Sequence, residues 1–369
     1  MKLIARWVAA TFLLQCLLVA ILTTIIYCGD FEGAVPGRAL SFPNDHGKHA
    51  GFETEWWYFT GNLASKDHNW STQLTFFRRS LFKEFDRDRS AWAVRDLYPA
   101  HFAITNITDK IFFHTELMSR EGPGLAGAAV DHLNVYVKDW SASQKGEKIF
   151  LRASSGDYSI NLALTPEKLI ALHGDQGFSV KGNDPNQASY YYSFTRLKAT
   201  GSLLFNGVSH DVSGLMWMDH EFGSSILNSE QVGWDWFSLQ FDNETELMAF
   251  HLRRKDGSFE KPFATLVDPS GKTTNLSGES IIIRATNKWM SPRTKATYPC
   301  EWIIEIPEEK LQIKITPTVE DQELSASKST QTSYWEGSVT ASGSRDGQQI
   351  DGRGYVELTG YAESMGGRL

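Results

Sequence analysis

The chain is short of cysteine, of net positive charge and of helical pattern, and each shortage removes a class of function. It has 3 Cys in 369 residues. Cys16 and Cys28 fall in an N-terminal apolar segment and Cys300 stands alone in the body, which can therefore hold no internal disulfide and no Cys-rich zinc site. Lys+Arg 36 against Asp+Glu 44 leaves a net charge of −8, the wrong sign for a nucleic-acid-binding face. A His-Glu-x-x-His helix is missing, because His220-Glu-Phe-Gly-Ser ends without its second His. There is no Gly-x-Ser-x-Gly elbow, Walker loop or dinucleotide fingerprint. Ser224 and Ser225 follow His220, but adjacency along the chain does not make a triad. His101 and His114 lie on adjoining predicted strands without a third ligand. We expect no metal and no cofactor.

Aromatic residues are plentiful: 12 Trp, 12 Tyr and 22 Phe. Such rings favour strands and large apolar cavities. After Glu53 the pattern is one of short strands and regular turns. Ala100–Ile107 with Lys110–Glu116 reads as a hairpin, as does the pair joined by Asn206-Gly207. Alternating runs at Trp302–Ile306, Leu311–Thr316, Tyr334–Thr340 and Gly354–Gly360 continue the style. An all-β fold of two antiparallel β-barrels in tandem follows, joined near Glu221–Gln231.

Ahead of it, Lys2 and Arg6 precede an apolar run from Trp7 to Tyr27, long enough to span a bilayer as a helix. The reading is an uncleaved anchor with the body exported, the runner-up a cleaved signal peptide. The expected division is residues 1–28 as anchor or signal, 29–50 as a Gly-, Pro-, Asp- and His-rich linker, 51–223 as the N-terminal barrel and 224–369 as the C-terminal one.

The chemistry concentrates in Ser213–Gly223, where Asp219, His220 and Glu221 are consecutive among Trp217, Met218 and Phe222, and in Gly233–Gln240. On a strand, side chains alternate faces. Trp217, Asp219 and Glu221 then point one way and Met218, His220 and Phe222 the other. Trp234 and Trp236 likewise separate from Asp235. Ionisable groups walled in by rings have shifted pKa values. The plain alternative is a polar turn with the tryptophans as core. A second knot holds Glu53, Glu55, Trp56, Trp57 and Tyr58; its functional reading is a general acid, its plain reading an edge strand. A third holds His173-Gly-Asp-Gln-Gly177 with Tyr191, either a pocket mouth or a capped loop.

Several of these stretches together resemble the bacterial AttH-like family, which is related to the carotenoid 1,2-hydratases (the CrtC family). They are Phe52–Phe59 with Phe76-Phe77-Arg78-Arg79, His173–Gly177, Trp217–Gly223, Gly233–Gln240 and Gly352–Tyr361, spanning Asn44 to Tyr361. The resemblance implies two lipocalin-like barrels in members called secreted hydrolases, many beside ABC-type export permeases. It also implies cofactor-free hydration of a C=C bond by acid and aromatic residues. On that likeness Asp219 is the expected proton donor and His220 its partner or water-orienting base, with Glu221 in the same catalytic group. Trp217, Trp234 and Trp236 would face a cation through their π faces. Asp235, Glu55, Trp57, Tyr58, His173 and Tyr191 complete the expected substrate contacts, in a pocket where the barrels meet.

Two functions are carried forward. One is an envelope hydratase (a hydro-lyase) or hydrolase acting on an apolar, lipid- or isoprenoid-like substrate. The other is a non-catalytic carrier of a hydrophobic ligand working with an ABC-type transporter. The expected location is the periplasmic side of the inner membrane, or outside the cell if the segment is cut.

Overall fold

The computed structural model describes residues 31–83, 93–182, 187–224 and 227–366. The expected anchor helix lies outside them. Among the described residues no helix is long and apolar enough to cross a membrane.

The described chain is all-β, built from two antiparallel sheets of 13 and 10 strands. The first sheet curls into a nearly closed barrel: strand Asn134–Val137, near one end of the strand order, packs against strands Asn69–Ser80, Asp96–Asn106 and Ile111–Arg120 at the other end. Its interior is filled by Trp57, Phe59, Trp70, Phe76, Phe102, Trp140 and Met218. The second sheet, from Gln231–Phe241 to Gln348–Leu358, encloses a separate core around Phe237, Trp302 and Trp335. Asn206-Gly207 does turn the chain between its two longest strands, Ala188–Phe205 and Val208–Gly223. Both turn residues have positive φ (50° and 76°), the geometry that Asn-Gly supplies at least cost.

The sheets meet face to face. Strands Thr54–Ala64, Val208–Gly223 and Ala188–Phe205 of the first present one face to strands Gln231–Phe241, Glu246–Arg254 and Gln348–Leu358 of the second. Tyr58, Tyr191, Trp217, Trp236, Met248, Phe250, Leu252 and Tyr355 form the apolar filling between them. Buried polar groups fix the docking. Gln240 Nε2 donates to the carbonyls of Thr195 (2.7 Å) and Met216 (3.0 Å), and Ser338 Oγ to Asn62 Oδ1 (2.7 Å). Each satisfied buried partner favours one alignment over its neighbours.

Residues 31–50 correct the linker expectation. They are packed against the barrel. Asn44–His46 forms a 3-10 turn with Asp45 and His46 buried. Trp57 Nε1 donates to the His46 carbonyl (3.0 Å), and Arg78 Nη2 to the carbonyls of His49 and Phe52 (2.8 Å each). The segment plugs one end of the barrel.

Candidate active site

Strand alternation divides the expected site into two places. Asp219 and Glu221 face the junction between the sheets. They line a cleft there with Trp56, Tyr58, Phe77, Lys181, Tyr191, Trp234, Trp236, Phe250, Leu252 and Glu357. The enclosed room in the cleft is about 70 Å³, within a wider opening that is continuous with solvent. Its walls are mostly aromatic, with few polar groups, the usual make-up of a small-molecule site.

Asp219 is the best-organised acid. Its carboxyl accepts hydrogen bonds from Tyr191 Oη (2.8 Å), Trp217 Nε1 (2.6 Å) and Ser193 Oγ. It is 3% exposed. Burial pushes its pKa up to about 7 against the three hydrogen bonds, and the nearby charge of Glu221 adds to the rise. A carboxyl poised there can hold or release a proton at neutral pH. Behind it stands His173. Its Nε2 is 2.6 Å from Ser193 Oγ, its Nδ1 2.8 Å from Thr265 Oγ1, and its ring 4.2 Å from that of Tyr191. Burial brings the His173 pKa down to about 3, so the ring is neutral. It orients Ser193 and Tyr191 and does not line the cleft.

Glu221 is tied differently. Lys181 Nζ lies 2.7 Å from its Oε1 and 4.4 Å from the centroid of the Phe250 ring. This ion pair, with Ser189 Oγ donating to the same Oε1, is a charged landmark in the wall.

Across the cleft sits Glu357, from the second sheet. Trp234 Nε1 donates to it at 3.0 Å. Burial, opposed by that bond, raises its pKa to about 7, and the charges of Asp219 and Glu221 push the same way. Each sheet thus contributes one carboxyl with a displaced pKa. Glu357 was missed from sequence, as were Lys181 and Phe250. The signal for Glu357 was a carboxyl sharing the face of Tyr355 in the otherwise apolar run Gly354–Gly360.

Four expected site residues belong elsewhere. His220 points into the barrel, away from Asp219, so it is neither partner nor water-orienting base for that acid. Its Nδ1 is 2.8 Å from Tyr192 Oη and its Nε2 2.9 Å from Glu55 Oε1. Trp57 stacks on the His220 ring at 4.9 Å, inside the barrel. Glu55 is held by Arg78 Nε (2.9 Å) and His49 Nδ1 (2.7 Å), and Arg78 also reaches Asp96 (3.2 Å). Burial would raise the Glu55 pKa; the cations of Arg78 and His49 win and hold it well below the carboxylate range. Asp235 projects from the far side of its strand, where it accepts from Tyr361 Oη (2.9 Å) and Arg253 Nη1 (3.1 Å). Ser224 donates to the Glu32 carbonyl (2.6 Å) and forms no triad.

His49, Glu55 and His220 offer ligand atoms within 4.8 Å of one another. The Arg78 guanidinium on Glu55 and the Asp45 carboxylate on His49 Nε2 (2.8 Å) engage the same groups. We assign the trio to the plug.

A family model of AttH-like proteins matches residues 33–361. The chain belongs to the AttH-like family. A crystal structure of an AttH-type protein from Nitrosomonas europaea is 35% identical, with a TM-score of 0.81, covering 90% of this chain and all of that one. Kievitone hydratase from Nectria haematococca shares the fold at 16% identity and a TM-score of 0.68, over 90% of this chain and 96% of its own. The dehydratase asqC of Emericella nidulans is 26% identical over 149 residues, 39% of this chain and 42% of that enzyme. The matched stretch therefore spans less than half of that curated relative.

Proposed function

We propose that this AttH-like protein is a cofactor-free hydratase-type enzyme that adds water to, or removes it from, an apolar lipid- or isoprenoid-like substrate in the junction cleft. The observation that carries the reading is the Asp219–Glu357 arrangement. Two carboxyls with pKa values near 7 face one aromatic cleft from opposite sheets. In hydration, protonated Asp219 gives its proton to the alkene carbon and ionised Glu357 accepts one from the attacking water; in dehydration, Asp219 protonates the leaving hydroxyl and Glu357 takes the proton from the adjacent carbon. Trp234, Trp236 and Tyr58 shield and stabilise the positive charge that develops between these steps. The relatives named hydratase and dehydratase support this class of reaction. We further propose that the second sheet serves as a lipocalin-like counterpart of the first barrel and that the protein works in the cell envelope.

The test is incubation with a panel of terminal-alkene isoprenoids and hydroxylated lipids in ¹⁸O-labelled water. By mass spectrometry one of them should gain an ¹⁸O-labelled water or lose an unlabelled one. Ligands that bind tightly and return unchanged would favour the carrier instead. For a converted substrate, kcat/KM should trace a bell centred near pH 7. Its alkaline limb is the loss of the Asp219 proton, and its acid limb the protonation of Glu357; the two midpoints belong to the coupled pair. A flat profile between about pH 5 and 9 would contradict the assignment.

A further inference from the structure

We infer that Glu336 is a positioning residue that keeps its proton at neutral pH, so that the Glu336–Glu357 pair presents a single negative charge, on Glu357, to the cleft. This rests on the reading of Glu357 as the base. The two glutamates stand directly opposite each other on strands Thr332–Arg345 and Gln348–Leu358. Directly opposed residues of antiparallel strands project from the same face, with Cβ atoms roughly 5 Å apart.

Nothing nearby neutralises two charges. Glu336 is 1% exposed, and neither of its carboxyl oxygens has a well-formed hydrogen bond. The titratable groups that face it are Tyr58 from the first sheet and Tyr334, Tyr355 and Glu357 from its own. None is a cation, and among the described residues neither glutamate has an ion-pair partner. Two carboxylates this close in a low-dielectric seam do not both ionise.

Glu336 is the member that stays neutral. It is the deeper of the two, and only the Tyr58 and Tyr334 hydroxyls approach its carboxyl, neither in a well-formed hydrogen bond. Glu357 opens on the cleft and has the Trp234 N–H. Burial and the charge of Glu357 push the Glu336 carboxyl well above the usual range. A neutral Glu336 carries an O–H toward its neighbours. The pair then assigns the roles in the cleft: Asp219 works as acid because the opposite sheet already holds the ionised partner.

Infrared spectroscopy of the full chain tests this. At about pH 8.5, above the titration of the other two acids, one protonated-carboxyl C=O band should remain. Glu336→Gln should remove it and Asp219→Asn should leave it. The folded-state pKa of Glu336 is raised, so its stabilising contribution is full below the ordinary carboxyl pKa and is lost as pH rises toward the folded value. Urea midpoints should therefore fall with rising pH in the wild type. The Gln variant, which mimics the neutral acid, should lose that part of the slope and match the wild type near about pH 5. No band in the wild type, a band that survives Glu336→Gln, or an equal loss of stability at every pH would each overturn the proposal. Neither readout involves turnover, so failure of the hydratase reading would not be mistaken for failure of this one.

Discussion

Asp219→Asn should lower turnover by about 10²–10⁴-fold while leaving ligand binding within a few-fold of wild type. The side chain is nearly isosteric, and its surroundings explain why binding survives. Tyr191, Trp217 and Ser193 all donate toward this position. An Asn carbonyl in the place of Oδ1 still accepts from Trp217 and Ser193, and its amide in the place of Oδ2 can donate to Tyr191 Oη, so both rings keep their places. The variant lacks a proton that can be released and recovered near neutrality. Quenching of indole fluorescence by bound substrate gives affinity, and single-turnover mass spectrometry gives the chemical step. Loss of both together would mean that Asp219 shapes the cleft and does no proton transfer. Retention of both would move the acid elsewhere, with Glu357 first in line. Glu221→Gln is the control. It breaks the ion pair with Lys181 and should act mainly on KM, because its contribution is to the wall.

The second large effect concerns folding. Arg78→Met should cost about 3–5 kcal/mol, because it takes from two buried carboxylates the guanidinium they share, leaving Glu55 to His49 and Asp96 to Lys48. Glu55 and Arg78 are both fully buried, and Asp96 with them. The guanidinium also bonds the carbonyls of His49 and Phe52, so its loss frees the plug segment as well. Chemical denaturation measures the change. The pH dependence carries the mechanism. In the wild type Glu55 is depressed, so its stabilising contribution is present above the ordinary carboxyl pKa and is lost as pH falls through the folded value. Without Arg78 the Glu55 pKa rises, and acid can then neutralise the stranded charge. The gap between variant and wild type should shrink below about pH 4. The double substitution Arg78→Met with Glu55→Gln should recover part of the loss at neutral pH. A gap that stays constant with pH, with no recovery in the double variant, would assign the damage to packing alone.

The sequence was most legible where a short-range rule governs. Asn206-Gly207 announced its hairpin through turn chemistry. The period of a strand predicted that Asp219 and Glu221 would share a face with Trp217, and they do. The same period separated His220 from Asp219. The partnership expected on the family likeness ran against it, and on a strand adjacent side chains face apart. His220 instead finds Glu55, on the neighbouring strand that begins at Thr54, by a pairing no local pattern records. The Gly-, Pro- and Asp-rich composition of residues 29–50 misled in another way. It marks irregular backbone, and an irregular segment can be a tether or a tightly bonded stopper. Asp45 shows which: against its burial, hydrogen bonds from His49 and the Ser41 N–H hold its pKa down at about 2. Glu357 carried a local signal, a carboxyl on the face of Tyr355, but no local rule says what that face meets. Only the docking of the second sheet on the first brings it to Asp219.

That docking has a consequence for how the protein could be controlled or disabled. One acid rides on each sheet, so a small slide or tilt between them changes the gap across which a proton must travel without touching any reacting side chain. Gln240, bonded to Thr195 and Met216 across the seam, is one of the pins that hold the gap, with Ser338 on Asn62 and Trp236 on Tyr191. On the proposed reading, catalytic competence would then depend on the alignment of two separately packed cores.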